Sequence, residues 1–153
     1  MNIIKNTLSI GAEKPFVFLH ITDIHLSESD ANDSSERRAF IAERKGYFSY
    51  APEAVEFVKA YVHKTGYPLV NTGDMLDFIT SENLRIAKDF VKETGMMVAA
   101  GNHEYWHCPN NRFHYDDVPE TYDAKDSSLA MVSEELGIDI RFSCREIGGV
   151  NLV

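Results

Sequence analysis

The chain is 153 residues long, one domain's worth, and its 44% hydrophobic and 25% charged residues are the balance of an ordinary globular protein with room for a real core. A formal net charge of −9 disfavours non-specific binding to nucleic acid or to an anionic membrane. No apolar stretch is long enough to span a bilayer, and no basic segment followed by an apolar one opens the chain, so neither a membrane protein nor a secretory signal is expected. Cys108 and Cys144 fit no metal or redox spacing and read as free thiols of a reducing compartment, the cytoplasm.

In chain order, Phe16-Val17-Phe18-Leu19, extended through His20 and Ile21, predicts a buried strand, because aromatic and β-branched residues pack well on a pleated surface. His20 within it reads as a buried, hydrogen-bonded histidine. Residues 27–50 are polar, with charges of both signs, and read as an insertion or long loop carrying a helix over Ser35 to Arg44. Pro52 suits a first helical turn, and Val55, Val58, Tyr61 and Val62 follow at helical spacing until Gly66 ends the helix and Pro68 prevents its return. Leu69-Val70 predicts a second strand. Ser81 is the expected cap of a helix whose apolar face is Leu84, Ala87, Phe90 and Val91, stopped at Gly95. Met96 to Ala100 predicts a third strand. Asp126 is the expected cap of a helix with Leu129, Val132 and Leu136 turned inward. Ile138 to Ser143 and Val150 to Val153 predict two strands joined near Gly148-Gly149. Strands alternating with helices imply an α/β fold with a mostly parallel sheet.

Three short motifs close the three predicted parallel strands: Asp23-Ile24-His25, Gly73-Asp74-Met75-Leu76-Asp77 and Gly101-Asn102-His103-Glu104. An open α/β sheet places its active site there, beyond the carboxyl ends of the strands. Taken singly, Asp-x-His and Gly-Asp-x-x-Asp read best as solvated turns, since Gly and Asp are common turn formers. Gly-Asn-His-Glu is more specific. Together, three ligand-rich turns that the fold brings to one edge argue for a divalent metal centre. Imidazole, carboxylate and amide without thiolate suit Mn, Fe or Zn better than copper. Asp74 has two oxygens and can bridge two ions, and Asp77 reads as a brace of its loop or a hydrogen-bond partner of a ligand, rather than a ligand itself. His63 reads as a surface residue. His107 and His114 read as solvent-exposed, with substrate contact the minority reading. Tyr105 and Trp106 read as capping the core edge or lining a pocket, and Asp116-Asp117 as solvated.

In this order the three motifs resemble the calcineurin-like metallophosphoesterase superfamily, over roughly residues 16–104. The resemblance implies an α-β-β-α sandwich with a dinuclear centre, two divalent ions (Mn, Fe or Zn), and hydrolysis of phosphate mono- or diesters of small molecules by a metal-bound hydroxide. It implies Asp23, His25 and Asp74 as ligands of the first metal, and Asp74 with Asn102 as ligands of the second. It makes His103 the acid that protonates the leaving group, and Glu104 its orienting partner. The superfamily also takes ligands from a later histidine and a Gly-His-x-His segment, and this sequence has no histidine after His114. The expectation is therefore an N-terminal part of a longer domain over residues 1–153. Its second sheet is only begun, it holds one metal by itself, and it is open to self-association along the unfinished sheet. A catalytically incompetent metal-binding or interaction domain is the alternative. A nuclease fits the acidic charge poorly.

Overall fold

The computed structural model describes residues 2–11, 14–31, 33–105 and 122–153. Trp106, His107, Cys108, His114 and the Asp116-Asp117 pair lie outside the described residues. The elements are β1 (Leu19–Ile21), α1 (Ser35–Tyr47), α2 (Ala51–Thr65), β2 (Leu69–Asn71), α3 (Ser81–Thr94), β3 (Met97–Val98), a 3-10 turn at His103–Tyr105, α4 (Tyr122–Leu136), β4 (Arg145–Ile147) and β5 (Val150–Leu152). The first three strands form a parallel sheet in the order β1-β2-β3, and β4 and β5 pair as a separate antiparallel hairpin. This is a mixed α/β architecture, and among the described residues no helix is long and apolar enough to cross a membrane.

The strands are shorter than the apolar runs that contain them, for a local reason. In the register Leu19↔Leu69, the residue before Leu69 is Pro68. Its carbonyl accepts the Leu19 N–H at 2.7 Å, but a proline has no N–H to carry the ladder back to Phe16–Phe18. His20, expected to be buried, is exposed on the edge strand, with Nε2 2.8 Å from Thr72 Oγ1. The expected strand Ile138–Ser143 is irregular, and β4 begins only at Arg145. There the Asp139 carboxylate accepts the Arg141 N–H at 2.9 Å, a local side-chain bond that competes with a ladder. Ile140 is buried and its carbonyl accepts the Ala100 N–H. The β4–β5 turn falls at Gly148-Gly149 with φ of 61° and 81°, as a type I′ hairpin requires.

Helix ends follow capping chemistry. Gly66 and Gly95 close α2 and α3 in the left-handed conformation, each donating its N–H back four residues, to Val62 and Val91. The cap of α3 is Thr80 rather than Ser81, its hydroxyl accepting the Asn83 N–H. The Asp30 carboxylate completes that cap by accepting the Ser81 and Glu82 N–H groups. Asp126 is not a cap, because α4 is already helical at Tyr122. The core gathers the expected faces: Val55 and Val62 of α2, Ala87, Phe90 and Val91 of α3, Leu129, Val132 and Leu136 of α4, over Leu69, Val98 and Ile140.

The 27–50 segment is bonded into this body. Glu28 donates its N–H to Asn83 and accepts the Thr80 hydroxyl on its carbonyl. Arg37 is buried beside Asp33 (Nε to Oδ1 3.0 Å, an ion pair rather than an aligned hydrogen bond) and reaches the Ile79 carbonyl at 3.4 Å. Helix α1 is three residues longer than expected and turns Arg44 and Phe48, one helical turn apart, toward the ends of β1 and β2.

Candidate metal centre

The turns after β1 and β2 stay zipped beyond the strands. Asp23, His25 and Leu26 donate their N–H groups to the carbonyls of Gly73, Asp74 and Met75 at 3.1, 3.0 and 2.9 Å. Among the described residues, the non-glycine positions with positive φ are Asp23 (54°), His25 (53°) and Asp74 (50°). Asp and His enter this conformation more readily than most side chains, and among the described residues its non-glycine cases fall in these turns alone. Two glycines let the second and third turns touch. A Cβ on Gly73 (φ 112°) would sit 2.6 Å from Gly101 Cα, and a Cβ on Gly101 would run into the backbone nitrogen and carboxylate of Asp74.

On this scaffold, one ligand atom each of His25, Asp74 and His103 lies within 4.8 Å of the other two. Asp74 Oδ1 accepts the His103 N–H at 3.1 Å, and Oδ2 faces His25 Nε2 at 3.9 Å. The two imidazoles meet edge to face, centroids 4.7 Å apart. Two imidazole nitrogens and a carboxylate oxygen, without thiolate, fit a divalent first-row ion.

Asp77 lies behind both imidazoles. Its side chain is fully buried, and Oδ1 is 3.2 Å from His25 Nδ1 and 3.4 Å from His103 Nδ1. Its backbone carbonyl is 3.1 Å from His103 Nδ1. Burial raises the Asp77 carboxyl, but hydrogen bonds from His25, Arg44 and Ser27 outweigh it and hold the pKa at about 2. An ionised carboxylate and a carbonyl only accept, so Nδ1 of each ring carries a proton, and in the neutral ring Nε2 is the nitrogen with the lone pair.

The expected site residues divide. His25, Asp74 and His103 come together. Asp23 stands at the open edge, its side chain 61% exposed against 16% for Asp74, with Oδ1 3.8 Å from His25 Nε2 and Oδ2 accepting the Thr22 hydroxyl. Asn102 is exposed, and its backbone carbonyl accepts the Tyr105 N–H at 3.3 Å. Glu104, expected beside the His103 imidazole, puts its buried carboxylate on backbone instead. It accepts the N–H groups of Asp74 (3.1 Å), Leu76 (3.1 Å) and Gly101 (2.7 Å), joining the second and third turns. Burial pushes its carboxyl up against the pull of those three donors. Contact with His103 Nδ1 is made by Asp77, which the sequence marks as a brace of its loop or a hydrogen-bond partner of a ligand. Tyr105 packs half-buried against the core, the edge-capping reading.

Arg44, Phe48 and Ser27 complete the surroundings of the two imidazoles. Arg44 forks onto Asp77, Ser27 donates its hydroxyl to it at 3.0 Å, and Phe48 stacks on His25 with centroids 4.2 Å apart and planes at 16°. The only sequence signal is the i, i+4 spacing of Arg44 and Phe48, which many helices share.

A family model for calcineurin-like phosphoesterases matches residues 16–149. No curated protein and no solved structure matches the chain. The family match runs from before β1 into the turn of the last hairpin and takes in all three ligand-bearing turns; the chain belongs to the calcineurin-like phosphoesterase family.

Proposed function

We propose that the domain hydrolyses phosphate mono- or diesters of small molecules with a divalent metal held by His25 and Asp74. The observation that carries this reading is the convergence of His25, Asp74 and His103 at the strand ends, with Asp77 behind both imidazoles. The ion, when bound, supplies Lewis acidity toward a phosphoryl oxygen and lowers the pKa of water. His25 offers its Nε2 lone pair because Nδ1–H is held by Asp77. Asp74 offers Oδ2, its Oδ1 being engaged by the His103 N–H. Asp23 at the open edge is the next donor to hand, and Asn102 would serve a second ion.

His103 has the geometry of a general acid. Nδ1–H is fixed on Asp77, so Nε2 is the position from which a protonated imidazole delivers its proton to a leaving alkoxide. The net charge of −9 disfavours a nucleic acid substrate, and the two cysteines suit a cytoplasmic setting.

One observation favours a second reading. His103 lies close enough to His25 and Asp74 to be a ligand, which would leave a metal-binding domain with no acid. Turnover of bis-p-nitrophenyl phosphate with and without Mn²⁺, beside Mn²⁺ titrations, separates the two. The proposal expects Mn²⁺-dependent turnover lost in Asp74→Asn, and His103→Ala inactive but still binding metal. A folded chain that binds Mn²⁺ without turnover, with affinity lost in His103→Ala, would establish the second reading.

A further inference from the structure

Three residues of the 27–50 segment reach the metal centre: Ser27 and Arg44 bond Asp77, and Phe48 stacks on His25. Arg44 Nη2 donates to Asp77 Oδ1 at 2.7 Å and Nε to Oδ2 at 3.1 Å, the planar fork that matches a carboxylate. The same Oδ1 faces Nδ1 of His25 and Nδ1 of His103. Arg44 also lies over the Phe48 ring, Cζ to centroid 5.1 Å, and that ring covers the face of His25. Helix α1 thus fixes the plane of the Asp77 carboxylate and the face of one imidazole.

We propose that Arg44 is a positioning residue of the centre: its fork on Asp77 orients the oxygen bonded to His25 Nδ1, and so points His25 Nε2 to the ligand side. The proposal rests on the metal-site reading above. Without the fork the carboxylate keeps the Ser27 hydroxyl on Oδ2 but can turn about its Cβ–Cγ bond, and Oδ1 then leaves His25, while His103 Nδ1 keeps the Asp77 backbone carbonyl. A lysine would restore the charge but not the plane.

The test uses the whole chain and Mn²⁺ alone as the probe. Arg44→Gln and Arg44→Lys are compared with Lys45→Gln, which removes the neighbouring exposed ion pair of α1 with Glu28 without touching Asp77. Two readouts are taken on protein shown to be folded. One is the Mn²⁺ dissociation constant. The other is the ¹⁵N side-chain spectrum of the histidines in metal-free protein at alkaline pH, which reports the tautomer. Both Arg44 variants are expected to weaken Mn²⁺ about tenfold, the low end of what removing the partner behind a ligand costs, since Arg44 acts through Asp77, and to mix the tautomers of His25, with His103 unchanged on the Asp77 backbone carbonyl. Lys45→Gln should match the wild type in both. Wild-type affinity and tautomers in Arg44→Gln would overturn the proposal. So would equal losses in Lys45→Gln, which would trace the effect to docking of α1. So would full recovery in Arg44→Lys. Should Arg44→Gln not fold, Arg44→Lys carries the same test. If the wild type binds no Mn²⁺, the metal-site reading fails, and the tautomer spectra still judge Arg44.

Discussion

Replacing Glu104 by glutamine separates a backbone anchor from a partner of the His103 ring. The carboxylate accepts two N–H groups on Oε2 and one on Oε1. Glutamine has the same shape and a single acceptor. With its oxygen at the Oε2 position it keeps the Asp74 and Gly101 bonds, and its amide then faces the Leu76 N–H, donor against donor. A hydrogen bond to a charged acceptor contributes roughly 1.5–3 kcal/mol, and a buried unsatisfied donor costs about 1–3 kcal/mol. Burial already raises the Glu104 carboxyl, so a neutral amide relieves part of that penalty. The expected net loss is about 2–4 kcal/mol, from the roughly 5–15 kcal/mol that holds a domain. For a chain of this size, a loss of about 3 kcal/mol lowers Tm by roughly 6–12 °C. The assay is urea unfolding at pH 7 in EDTA, read as a lower midpoint at unchanged slope. A wild-type midpoint in Glu104→Gln would refute the anchoring role.

Acid sensitivity should carry the mark of Asp77. Its folded pKa of about 2 lies below its ordinary 3.8, so its contribution is complete above about pH 4 and fades as pH falls through 2. The difference amounts to about 2 kcal/mol. Unfolding free energies of Asp77→Asn in EDTA should fall less steeply between about pH 4 and pH 2, and parallel slopes would show that Asp77 is not held ionised. Gly101→Ala places a Cβ against the Asp74 backbone nitrogen and should lower stability by about 1–3 kcal/mol and weaken Mn²⁺ binding, checked by melting and titration; a variant with both unchanged would contradict the close approach of the turns. Asp30→Ala removes the added cap of α3 and should cost about 1 kcal/mol in thermal unfolding, with Mn²⁺ affinity untouched.

Much of this was legible in the sequence, because it depends on local chemistry. Gly66 and Gly95 end helices, Gly148-Gly149 turns a hairpin, and each of the three ligand-rich turns follows a parallel strand. The rest depends on contacts between distant residues. Nothing near Arg44 marks it as a partner of Asp77, 33 residues on. The neighbour relation between His103 and Glu104 suggests that they act together, yet the 3-10 turn sends the carboxylate to backbone and the imidazole to Asp77. Strand β4 starts late because the Asp139 carboxylate takes the Arg141 N–H, a competition that an apolar count does not weigh. Thr80 precedes Ser81, and either could cap; the hydroxyl within reach of the Asn83 N–H is that of Thr80.

The central claim is that the three turns form one metal centre. Crystals grown with Mn²⁺ and measured at a wavelength where manganese scatters anomalously test it most directly. An anomalous peak bonded to His25 Nε2 and an Asp74 oxygen is expected, absent from Asp74→Asn. Saturating Mn²⁺ with no peak at these residues, or with peaks only elsewhere, would contradict it.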